Sequence, residues 1–96
     1  MDYNIIKGKS TLTNIVDAYS GVLNVNYTSY VDNGVYLCKI SATNTTTAPT
    51  LNLNSIGVRN INKNDGNSLA IGDLSINGWY FFMYDLITDS FLKLAS

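Results

Sequence analysis

The chain contains no histidine, and all seven of its acidic residues are aspartate, so glutamate is missing as well. Glutamine is also absent. Each absence excludes something. Without His, neither a Ser–His–Asp nor a Cys–His nucleophile can be assembled. The single cysteine, Cys38, cannot close a disulfide within the chain, and with no His it cannot complete the usual zinc ligand set. The lack of Glu and Gln removes two residues that favour helix surfaces. Charged residues make up only 14% of the chain and the net charge is −1, with the lysines scattered. Nucleic acid therefore finds no clustered basic footprint. No apolar run approaches the roughly 18 residues needed to span a bilayer, so membrane insertion is not expected. The opening "MDYNIIKGKSTL" does not read as a secretory leader.

Asn, Thr, Ser, Gly, Ile, Val and Tyr take the place of the missing residues, and they favour strands and turns. The apolar pattern has period two, broken by turn signals. "SGVLNVNYT" alternates Leu23, Val25 and Tyr27 with Val22, Asn24 and Asn26. Asn33-Gly34, Asp65-Gly66 and Asn77-Gly78 are turn pairs that tolerate positive φ. "VYLCKI" sets Tyr36, Cys38 and Ile40 on one face and Val35, Leu37 and Lys39 on the other. "TLNLN" alternates Leu51 and Leu53 with Asn52 and Asn54. "GVRNI", "SLAIG" and "SFLKL" are further strand candidates, and Pro49 falls between strands, where its missing N–H costs nothing. The expectation is an all-β fold: a small antiparallel, sandwich-like module of about seven strands. Residues 1–17 form either a short helix, capped by Thr11 or Thr13 ahead of Leu12, Ile15, Val16 and Tyr19, or an extended N-terminal arm. The β-module then spans 18–96.

"WYFFMYDL" is apolar on both faces, with Trp79, Phe81 and Met83 opposed to Tyr80, Phe82 and Tyr84. A sheet with one solvated face alternates apolar with polar. One reading is a central strand between packed layers; the other is that one face meets a second subunit, where Trp and Tyr are enriched. A chain of 96 residues buries only about 60–65% of its unfolded surface. With disulfide and zinc excluded, oligomerisation is the remaining source of stability, and 46% hydrophobic content suits it. Trp79, Phe81, Met83, Tyr36 and Leu37 are the subunit-interface candidates.

Catalytic patterns fail one by one. The aspartates mostly sit beside Gly, Asn or Ser, where a turn role is the default. In "NKNDGN", placing Gly66 at the sixth position of a calcium loop puts Ile61 and Lys63 at ligand positions and Gly72 at the closing Glu. No glycine pattern cradles phosphate. The sequons at Asn26 and Asn44 are expected by chance in an Asn/Thr-rich chain. No catalytic residue, metal or cofactor is expected, and the chain reads as a non-enzyme.

From "DAYSG" onward, the ordered set "YTSYVDNGVYLCKISATNTTTAPTLNLNSIGVRNI", "SLAIGDLSINGWYFFMYD" and "FLKL" resembles a β-module that recurs in bacteriophage tail-fibre, spike and head-fibre proteins. The matching positions include Ala18, Tyr19, Gly34, Asn44, Thr45, Thr50 to Asn54, Gly57, Gly72, Asp73, Tyr84, Asp85 and Phe91. "NTT" stands where the family carries a glycine-containing loop, and "YDLITDSF" is longer than its tight turn. The resemblance implies a structural virion component, commonly a homotrimer, with no chemistry to carry over. The expected function is a capsid decoration or head-fibre protein attached to other virion proteins by residues 1–17, with Tyr3, Ile5 and Ile6 as apolar anchors. The alternative is a receptor- or glycan-binding module of a tail fibre or spike, in which exposed Tyr and Trp stack on sugars of the host surface. On this view the Asn/Thr-rich face of 43–59 keeps a particle surface soluble without long charged chains. Biased nucleotide composition is the plain alternative cause.

Overall fold

A computed structural model describes residues 6–94. They form eight strands and, among the described residues, no helix: β1 (Ile6–Thr11), β2 (Thr13–Ile15), β3 (Ala18–Gly21), β4 (Val35–Lys39), β5 (Thr50–Leu53), β6 (Arg59–Lys63), β7 (Trp79–Asp85) and β8 (Ser90–Lys93). The all-β expectation holds. The finer layout differs. The strands join into one sheet in the order β1-β4-β7-β8-β6-β5-β3-β2, which curls until its two ends almost meet, giving a barrel-like shape. Pairing is mixed rather than antiparallel, because β1–β4, β3–β5 and β6–β8 run parallel.

The two ends of that sheet are consecutive in sequence. Residues 6–15 form one extended stretch interrupted at Leu12; its first part pairs with β4 and its second with β3. Leu12 N donates to Lys39 O at 2.9 Å, and its side chain is buried in the core. Of the alternatives for the N-terminal region, helix and extended arm, residues 6–15 are extended and are built into the sheet. The apolar spacing that suits a helix has another cause: Leu12, at the break between β1 and β2, and Tyr19, in β3, point inward, while Ile15 and Val16 are exposed at a tight turn. Val16 and Asp17 both have positive φ, 44° and 66°, as a two-residue hairpin turn requires.

The chain between β3 and β4 also departs from expectation. Residues 22–27 alternate but do not form a strand; they wrap one end of the barrel. Leu23 enters the core, and Tyr27 and Tyr30 pack against it. Asn24 continues the closure by accepting Lys9 N at 2.9 Å through its side chain and donating its own N–H to Lys9 O. "SLAIG" contributes a single bridge, Ser68 to Asn62, and otherwise turns. The Asp65-Gly66 and Asn77-Gly78 pairs do mark turns, with Gly66 at φ 88° and Asn77 at φ 67°.

The core is aromatic at its centre. Tyr36, Phe82 and Phe91 are fully buried. Phe91 meets Tyr30 and Tyr36 edge-on, with ring centroids 4.9 and 5.9 Å apart. Alternation along β7 sends Tyr80, Phe82 and Tyr84 inward. At the seam, β3 passes close to β1, and Gly21 is the reason it can. A Cβ there would lie 2.3 Å from Ser10 Oγ and 2.9 Å from Leu12 Cδ2. Gly21→Ala should therefore destabilise the chain by about 1–3 kcal/mol, read as a lower urea midpoint. Adding Ser10→Ala should recover part of the loss; an unchanged midpoint for Gly21→Ala would contradict close packing at this seam.

Candidate functional site

Several ionisable and amide side chains are committed to structure. Asp17, only 4% exposed, sits in the β2–β3 turn and faces the "NTT" loop. Its carboxylate accepts Thr46 N and Thr46 Oγ1, each at 2.6 Å, and Thr45 N at 3.0 Å. Burial raises the carboxyl pKa, but the hydrogen bonds from Thr46 and Thr45 outweigh it and hold the group below its ordinary 3.8. Beside it Asn44, 1% exposed, donates through Nδ2 to Thr46 O at 2.8 Å and Ala70 O at 3.0 Å and accepts Leu74 N at 2.9 Å. These two side chains fasten the 43–46 loop to the barrel.

Asp89 accepts from Tyr84 Oη and, at 2.6 Å, from Arg59 Nε. The hydrogen bonds from Tyr84 and then Arg59 hold it below the usual carboxylate range. The Arg59 guanidinium in turn lies 5.5 Å from the Tyr30 ring centroid, so this cluster closes the Tyr30 end of the barrel. Cys38 is buried in the core, and burial pushes its thiol up to about 12, so it is an inert packing residue. Among the described residues no three His, Cys, Asp or Glu side chains stand together as metal ligands.

The outside of the sheet carries a different kind of feature. The outer sides of β4, β7 and β8 are apolar. Met83 stands opposite Leu92 and the fully buried Val35; Leu37 stands opposite Phe81, whose carbonyl accepts Leu94 N at 2.9 Å. Leu37, Phe81, Met83, Leu92 and Leu94 are half-buried, and Trp79 is 45% exposed. The face is charged at its two ends, with Lys39 opposite Trp79 at one and Asp85 opposite Ser90 at the other. Four of the five interface candidates, Trp79, Phe81, Met83 and Leu37, thus share one face. Tyr36 does not. It is fully buried in its own core because strand alternation turns it inward with Cys38, so it has no surface to offer a second subunit. Of the anchor candidates, Ile6 pairs with Val35 as the first residue of β1 and borders the same face. Tyr3 and Ile5 lie outside the described residues.

Sugar stacking on exposed tyrosines finds no platform among the described residues, where all six tyrosines are buried or half-buried. Only Trp79 among the expected stacking residues is exposed. The Asp17–Thr46 clasp and the buried Asn44 had no legible signal in sequence, since Asp and Asn beside Thr read as turn residues.

No family model matches the chain, and no curated protein matches it.

The Asp17 clasp has a pH consequence. A carboxyl whose folded pKa is depressed contributes stability that is present above the unfolded value and lost as pH falls through the folded one. Stability should therefore decline below about pH 4. Asp17→Asn should lose about 1.5–3 kcal/mol at pH 7 and show a flatter decline in acid, measured by urea denaturation at several pH values. An equal acid slope in both proteins would remove Asp17 as its source.

Proposed function

We propose that this chain is a non-enzymatic structural module of a bacteriophage particle, a small capsid decoration or head-fibre protein that works as a homotrimer. The observation that carries the assembly part is the apolar outer face of β4, β7 and β8. A lone small barrel would solvate such a face at a cost of about 25 cal/mol for each Å² left exposed, and Trp, Phe and Met are the residues enriched at subunit contacts. In the proposed ring each copy presents this face to a different surface of the next, and three such contacts close. Lys39 and Asp85, at opposite ends of the face, give it a charge direction that favours one orientation. The virion assignment is supported by the ordered motif resemblance from Asp17 to Leu94. Attachment to other virion proteins falls to the N-terminal residues ahead of β1, Tyr3 and Ile5 among them, because Ile6 is already a sheet residue.

A receptor- or glycan-binding module is the second reading, and one observation favours it. A trough of about 290 Å³ beside β2, β3 and β5 is lined by Thr11, Thr13, Ser20, Asn52 and Ser55 with no charged side chain. Uncharged hydroxyls and amides of this kind suit neutral sugar hydroxyls.

Light scattering on the purified chain tests the first reading. The expected mass is about 31.5 kDa, three times the 10.5 kDa chain. Trp79→Ser should reduce it to the monomer mass, and Trp79 is exposed enough that the barrel itself should survive the change. A monomeric wild type, or a trimer that persists in Trp79→Ser and Phe81→Ser together, would contradict assembly through this face.

A further inference from the structure

A second feature lies away from the apolar face and is independent of assembly. β6 and β8 run parallel with Lys63 directly beside Lys93. Adjacent strands are about 4.8 Å apart, and like charges placed opposite each other destabilise a sheet pair. Asp65, whose carboxyl is held down first by the Asn67 N–H and to a lesser degree by the Lys63 charge, offsets that repulsion only in part. Among the described residues neither ammonium has a carboxylate oxygen within 4.0 Å; the ion pair found there is Arg59–Asp89. The nearest acids are tied to their own turns. Asp65 accepts Asn67 N at 2.9 Å and Asn67 Nδ2 at 3.1 Å, and Asp73 Oδ2 accepts Ala70 N at 2.9 Å.

Between the two lysines and the 64–73 loop is a cleft of about 220 Å³, lined by Lys63, Asn64, Leu69, Asp73 and Lys93. Its parts are complementary to one kind of ligand. The Lys93 ammonium is held 5.2 Å from the Tyr80 ring centroid, so one cation is positioned before anything binds. Two ammoniums side by side suit an oxyanion. Asn64 offers an amide donor and acceptor, and the Asp73 carboxylate retains a second oxygen to accept hydroxyl protons. Leu69 gives an apolar wall for a C–H face. The volume is below the roughly 300–1,000 Å³ of drug-sized sites, which fits a single ring rather than a chain of them.

We propose that this cleft binds a carboxylate-bearing sugar, with the carboxylate between Lys63 and Lys93 and the ring hydroxyls toward Asn64 and Asp73. A bare inorganic anion would use the lysines but not Asn64 or Leu69, and the Asp73 charge would oppose it. A neutral sugar would leave the two cations unpaired.

The test is a titration of the isotope-labelled full chain with glucuronate, followed by amide NMR, with glucose, acetate and inorganic phosphate as parallel probes. Glucuronate should give saturable shifts centred on Asn64, Leu69, Asp73 and Lys93, with a Kd on the order of 1 mM at low salt. Binding should weaken at least fivefold at 150 mM salt, as exposed charge contacts are screened. Lys63→Gln with Lys93→Gln should weaken it about tenfold or more while the spectrum away from the cleft stays that of the folded barrel. Lys39→Gln, outside the cleft, should leave it unchanged. Acetate or phosphate binding as tightly as glucuronate would overturn the sugar assignment. Absence of saturable shifts, or shifts that survive the double substitution, would overturn the site.

Discussion

Closure of the sheet is the constraint on which the rest of this structure depends. A small mixed sheet with free edges would expose two rows of unpaired backbone groups and split its core between them. Here residues 6–15 supply both terminal strands. Ile6–Thr11 lies along β4, Leu12 enters the core, and Thr13–Ile15 turns to meet β3. Because one stretch of chain serves both ends, the interior can be filled by Tyr36, Phe82 and Phe91 without a second layer. Gly21 at the seam and Asn24 beside Lys9 are consequences of bringing β1 and β3 together.

The same constraint explains the abundance of Asn and Thr better than surface solubility does. Long connections between β3 and β4, and between β6 and β7, must lie on the barrel ends with their peptide groups satisfied. Short polar side chains do that work in place of strand partners. Asn44 ties Thr46, Ala70 and Leu74 together. Asn54 accepts Leu23 N and donates to Val25 O and Tyr27 O, and so pins the wrapping loop to the end of β5. Longer Lys or Glu chains would overshoot these contacts and lose more rotamer freedom on being fixed.

This is also where sequence reading stopped. The strand-rich class, β4, β5, β7 and β8, and the two-sided character of "WYFFMYDL" were legible because period-two alternation is a local signal. The face shared by Leu37, Phe81 and Met83 followed from the same alternation. Tyr36 lies inside and not on the outer face, because alternation tells which residues share a face, not which face is the inside. β1 and β2 were missed because Leu12, Ile15, Val16 and Tyr19 fit a helical spacing as well as a bent strand, and parallel partners distant in sequence leave no local mark. Residues 22–27 alternate as a strand does, yet pairing with β5 ends at Gly21–Leu53 and the segment is held by the Asn54 side chain instead. The pairing of Lys63 with Lys93 depends on a parallel register between β6 and β8 that no sequence spacing reveals.

A barrel closed by residues 6–15 carries a half-buried apolar side on β4, β7 and β8, with Trp79 exposed, and a two-lysine cleft by the β6–β8 end. The first suits association with further copies, the second a small acidic ligand, and neither disturbs the core. The closed sheet requires residues 6–15 to belong to the folded unit and not to form a loose arm. Amide hydrogen exchange tests that directly. If the stretch closes the barrel, the Leu12 amide, bonded to Lys39 O, should be protected to within about tenfold of the Phe82 amide in β7. Exchange of Leu12 as fast as the amides of exposed Thr28 and Ser29 would contradict the account.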